Sequence, residues 1–262
     1  MTAGIFLAPL RYDRAVVLGS LLVVVALAWT YLLLGAGIPM KMMDMGGGHV
    51  MAMLPEWTFG YASVVFVMWA VMMVAMMLPS AAPVTLLVSS IARKRADAGA
   101  AAGLSTTLFG LGYVVVWLGF ATTATTLQWV FDEAGLLSET MAFGNTVLAG
   151  GVLVAAGVYQ WTPLKEACLR HCRSPLEFLL FHWREGILGS FTAGVRHGVF
   201  CLGCCWMLMA LLFVGGIMNL LWIGAIALLV LIEKTLPWGG RMSRVTGALL
   251  VAWGISVLLT AA

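Results

Sequence analysis

Between residues 197 and 209 the chain reads His-Gly-Val-Phe-Cys-Leu-Gly-Cys-Cys-Trp-Met-Leu-Met, a concentration of soft metal-ligand side chains inside an apolar run. In a helix, residues four apart share a face, so His197, Cys201, Cys205 and Met209 form one line with Cys204 beside it. At about 1.5 Å per residue the line is roughly 18 Å long, more than half of a hydrocarbon core about 30 Å thick. A thiolate buried there needs a positive partner, which a bound soft cation or the neighbouring Arg196 would supply. Sulfur ligands in low coordination favour Cu(I), with Zn or another soft metal as the alternative. One cysteine in such a helix would be ordinary packing, but three within five positions and a histidine one turn away point to ligand or redox use.

A second cluster lies at Lys165-Glu-Ala-Cys168-Leu-Arg-His171-Cys172-Arg173, the most basic stretch of the chain. One helical turn would bring the Cys168 and Cys172 thiols to one face with His171 adjacent. The third concentration is Met-rich: Met40, Met42, Met43, Met45, Met51 and Met53 share fourteen positions with Asp44 and His49. Thioether and imidazole together suit Cu(I), so Met45, His49, Met51 and Met53 are capture candidates, against the plain reading of a space-filling interfacial segment. A methionine stripe at 68, 72 and 76, flanked by 73 and 77, reads first as adaptable packing. His182 alone reads as an interfacial histidine, and Glu233-Lys234 as an ion pair facing the interior.

These residues sit in a chain that is 62% hydrophobic and 10% charged, outside the soluble range and within that of integral membrane proteins. The expected fold is all-α, a single membrane domain of about seven spans near 15–34, 59–78, 104–131, 145–161, 198–214, 218–232 and 245–259. A Met-rich outside loop would cover 36–58, and a cytoplasmic Cys/His loop with an interfacial helix 163–197. Pro79 and Pro83 are expected to bend or break the second span. Gly186, Ser190, Gly194 and Gly198 recur every four residues, a seam for close helix contact. Ala26-Leu-Ala28 offers a signal-peptidase site, but the apolar stretch continues past it to Gly35. In this topology thirteen of the fourteen Lys and Arg fall inside and only Lys41 outside. That places the N-terminus in the cytoplasm and the chain in a bacterial inner membrane. All five cysteines lie in the second half and none outside, which argues against an extracellular disulfide framework. No basic stretch is long enough for a nucleic-acid face.

The chain resembles a bacterial family of unknown function described as metal-binding integral membrane proteins. The likeness rests on Met72-Met73, Met76-Met77-Leu78-Pro79-Ser80, Tyr159-Gln160, Pro163-Leu164-Lys165, Cys168, Cys172-Arg173, the 197–209 stretch and Glu233-Lys234. The resemblance implies metal binding without choosing the metal or a reaction, and the Met-rich segment lies outside its pattern.

The leading expectation is a soft-metal protein, most simply of copper, acting in uptake, relay or homeostasis. Met45, His49, Met51 and Met53 would capture the ion. Met209, Cys205, Cys204 and Cys201 would relay it, and His197, Cys172, His171 and Cys168 would receive it. Its partners would be the bilayer, the ion, and a metal carrier or another membrane subunit. A thiol-disulfide oxidoreductase using the cysteine pairs and a membrane metalloenzyme or non-catalytic subunit stay open, and the absence of soluble loops weighs against an enzyme.

Overall fold

The computed structural model describes residues 3–37, 41–44, 50–53, 55–95, 99–174 and 187–260. The elements in order are α1 (Ala3–Leu33), β1 (Lys41–Asp44), β2 (Val50–Met53), α2 (Phe59–Arg95), α3 (Gly99–Glu133), α4 (Thr146–Tyr159) and α5 (Pro163–Arg173). They are followed by α6 (Ile187–Ala210), the short α7 (Leu212–Gly215), α8 (Leu220–Thr235) and α9 (Gly239–Thr260). The chain is a polytopic helical bundle, as composition requires. Leu22, Leu221, Leu249 and Leu259 stand exposed on its outside, an arrangement that suits lipid and not water.

Among the described residues five helices are long and apolar enough to cross a membrane, and a sixth crossing results if the bent pair α4 and α5 counts as one, beside the expectation of about seven. The 16-residue α8 spans about 24 Å, against a hydrocarbon core of about 30 Å. The helix of the fifth expected span, α6, starts at Ile187, so Arg196 and His197 stand within it.

Local sequence explains the ends. Asn145 caps α4 by accepting from Val147 N and Leu148 N, and Asn219 caps α8 by accepting from Trp222 N. Thr162 caps α5 with Pro163 as its first residue, and here the chain turns by 63° from α4. By contrast, Pro79 and Pro83 do not break the second span: α2 runs unbroken over 37 residues. In a bundle, hydroxyls and neighbouring helices can supply the bonds that a proline removes. Ser80 Oγ and Tyr113 Oη of α3 both donate to the Met77 carbonyl, between the Ala75 and Pro79 carbonyls that lose their helix donors to the two prolines, and so tie this stretch of α2 to α3.

The Met-rich segment departs from a flexible loop. β1 and β2 pair antiparallel, with Met43 opposite Met51 and Lys41 opposite Met53. Met45 and His49 lie outside the described residues, as does His182.

The helix that carries the cysteines is held by its small-residue seam. An added Cβ at Gly194 would stand 2.0 Å from the Phe109 carbonyl oxygen of α3, and one at Gly112 of α3 would stand 2.2 Å from that of Phe191. The two backbones touch, so no larger residue fits without parting them. A Gly194→Ala variant is expected to lower the unfolding temperature in detergent by several degrees, whereas Gly110→Ala, where a Cβ meets nothing within 4 Å, should not. Equal thermal stability of the two variants would contradict this close crossing.

Candidate metal centre

The line anticipated on α6 exists and is inaccessible to solvent: His197 is 3% exposed, Cys201, Cys204 and Cys205 1% each, and Met209 0%. α5 packs on α6 and adds the second cluster to it. Cys172 lies within hydrogen-bonding reach of the Cys201 and Cys204 thiols. Cys168 rests on Gly203, where an added Cβ would stand 2.7 Å from its Sγ. His171 stacks on Phe200 with ring centroids 4.2 Å apart, its Nδ1 2.8 Å from the Ala167 carbonyl oxygen. The two cysteine clusters, distant in sequence, thus form one sulfur-rich layer between α5 and α6. Cys168, Cys172, Cys201, Cys204 and Cys205 are all free thiols.

Three further residues complete the layer. Lys234 of α8 reaches in from the opposite side, its Nζ 2.9 Å from Cys201 Sγ, 3.8 Å from Cys205 Sγ and 3.9 Å from Met77 Sδ. Tyr113 Oη lies 3.0 Å from Cys201 Sγ. Met77 Sδ lies 3.9 Å from Cys205 Sγ, so α2 and α6 meet through sulfur. Cys201 therefore faces an ammonium and a phenol, and is set apart from a thiol packed only among apolar side chains. The cation opposite the thiols is Lys234 and not Arg196, which is exposed on another face of α6.

Among the described residues, no three His, Cys, Asp or Glu side chains are grouped so as to hold a metal ion. The geometry gives the reason. Cys204 and Cys205 turn their thiols back to the Cys201 carbonyl, at 3.1 and 2.9 Å, and the Lys234 ammonium stands against Cys201 Sγ and Cys205 Sγ. The donor set itself is soft and suited to a soft cation, since thiols and thioether outnumber oxygen and nitrogen donors. His197 packs between the rings of Phe109 and Tyr113, with centroids 5.9 and 5.8 Å away. Met209 lies in the core two turns above Cys201. Met51 and Met53 belong to β2.

The sequence also pointed to Glu233-Lys234 as an ion pair. Glu233 instead pairs with Lys165 of α5, Oε2 to Nζ 2.7 Å, with the two side chains 2% and 1% exposed. Lys165 also donates to Gln160 Oε1, which accepts from Ser243 Oγ at 2.9 Å. This frees Lys234 for the thiols. Removing one member strands a buried charge. Lys165→Met is therefore expected to cost about 3–5 kcal/mol, while Lys165→Met with Glu233→Leu recovers most of it. Unfolding measured for the single and double variants decides, and an undisturbed single variant would contradict the pairing.

No curated protein and no solved structure matches the chain. Residues 66–257, most of the chain and every residue of the sulfur layer, match the PpoB2 family, described as copper chaperone, which agrees with the expectation of a metal-related family. The chain belongs to this copper chaperone family.

Proposed function

We propose that the protein binds Cu(I) as cargo in the sulfur layer between α5, α6 and α8, and passes it on within the cytoplasmic membrane. The observation that carries this reading is the meeting of Cys201, Cys205 and Met77 sulfur atoms at the Lys234 ammonium, with Cys204 and Cys172 in the same buried layer, taken with the family. Cu(I) is the common biological ion that prefers two or three sulfur ligands and loses little by leaving water for a dry site. With the ion bound, Cys201 and Cys205 are its primary ligands, one helical turn apart, and Cys172 or Cys204 supplies a third sulfur. Met77 is a neutral ligand that the ion can leave easily.

The methionines of α2 support a relay. Met68, Met72, Met73, Met76 and Met77 are all buried, and along the helix they cover about 14 Å, ending against Cys205. An ordered change from thioether to thiolate draws Cu(I) toward the thiols without an energy source. In this reading the Met-rich segment with Met45, His49, Met51 and Met53 is the collecting end, and Cys168 with His171 the releasing end. The thiol oxidoreductase alternative has a use for Lys234 beside Cys201, but gives no reason for a methionine column that ends against Cys205.

Elemental analysis of protein loaded with Cu(I) under reducing conditions tests the reading, beside a variant with Cys201, Cys204 and Cys205 all replaced by Ser. Stoichiometric copper in the wild type and at least about tenfold less in the variant is expected, about 1.4 kcal/mol or more of lost affinity. Equal metal in both would remove the thiols from the site.

A further inference from the structure

Beside the sulfur layer lies a cavity of about 1000 Å³, open to the surface, among the residues of α5, the end of α8 and the start of α9. Its charge is lopsided. Lys165, Arg170, Arg173, Lys234, Arg241 and Arg244 line it, against the single acid Glu166. Glu233 neutralises Lys165 alone. Arg170, Arg241 and Arg244 are exposed, their charges turned to whatever enters. On the inner wall Gln160, 4% exposed, has its Oε1 taken by Lys165 and Ser243, while its buried Nε2 has no hydrogen-bond partner among the described residues. A cavity with surplus cations and an unused amide donor fits a ligand that carries several anionic oxygens.

The position of Lys234 connects this cavity to the thiols. Lys234 lines the cavity and its ammonium touches Cys201, so one side chain separates the two. A bare copper cation would be repelled by such an approach, whereas a Cu(I) ion held by two thiolates is itself an anion. We infer that the cavity docks an anionic Cu(I)–thiolate complex of a small, carboxylate-bearing thiol and exchanges the ion with Cys201 past Lys234. The inference rests on the copper reading above and adds the chemical form in which the ion is exchanged with its carrier at the releasing end. Arg170, Arg241 and Arg244 draw in the carboxylates, and Gln160 Nε2 donates to one of them. Copper stays Cu(I) throughout. One bond from copper to the carrier sulfur breaks as the bond to Cys201 Sγ forms, and the proton of the Cys201–Lys234 pair leaves on the released carrier thiol. The same contacts serve release in reverse.

The test compares two donors of equal thiol chemistry and opposite charge, Cu(I) with mercaptosuccinate and Cu(I) with cysteamine. The full-length protein in detergent is mixed with each, and protein-bound copper is followed with time at low and high salt. Transfer from mercaptosuccinate should be about tenfold or more faster at low salt, and the advantage should collapse at high salt. Replacing Arg170, Arg241 and Arg244 together by Gln should remove the advantage while leaving transfer from cysteamine intact, and replacing them by Lys should restore it. Equal rates from the two donors, or a Gln variant that keeps the preference, would overturn the inference while the copper reading stands. So would a tightly held anionic phospholipid that co-purifies with wild type, is lost in the Gln variant, and slows transfer when present. Copper acquired from neither donor would sink the copper reading itself and this inference with it.

Discussion

A lysine ammonium held among sulfur atoms, away from water, is the interaction on which the centre depends. Lys234 is 6% exposed, and its Nζ is 2.9 Å from Cys201 Sγ. Burying an ammonium is expensive unless an anion and hydrogen-bond acceptors meet it, and burying a thiolate is expensive for the same reason. Each charge makes the other tolerable. The pair sets an ammonium, itself a cation, against the soft donors Cys201, Cys205 and Met77.

The rest of the bundle holds that pair in place. The close crossing of α3 on α6 sets Tyr113 against Cys201 and the Met77 carbonyl at once. The turn at Thr162-Pro163 lays α5 across α6, so that Cys168 and Cys172 reach the thiols of another helix. The Lys165–Glu233 pair ties α5 to α8 one residue before Lys234, fixing the end of α8 from which the lysine reaches inward. Ion pair, helix turn and glycine contact therefore converge on one geometry, and the basic cavity opens where α5, α8 and α9 come together.

Much of this was legible in the chain. Residues at i and i+4 gave the line His197, Cys201, Cys205, Met209, because helical period alone decides which side chains share a face. Composition gave the membrane bundle, and the four-residue seam gave a close helix contact. What was not legible depends on which helices face one another. Arg196 is near Cys201 along the chain, yet points elsewhere, while Lys234 meets it from a helix 33 residues on. Glu233 and Lys234, adjacent in sequence, project to different neighbours, so adjacency misled about their pairing. Pro79 and Pro83 break an isolated helix but not one supported by hydroxyls and neighbouring helices. Composition does not by itself number the crossings, because a 16-residue helix such as α8 has the composition of a span at about 24 Å of length.

The central claim is that sulfur from these cysteines, and not nitrogen or oxygen, holds the cargo ion at the position Lys234 marks. X-ray absorption at the copper edge of the Cu(I)-loaded protein measures that directly. The account predicts a first shell of two or three sulfur atoms and no lighter ligand, and a first shell containing nitrogen or oxygen would contradict it.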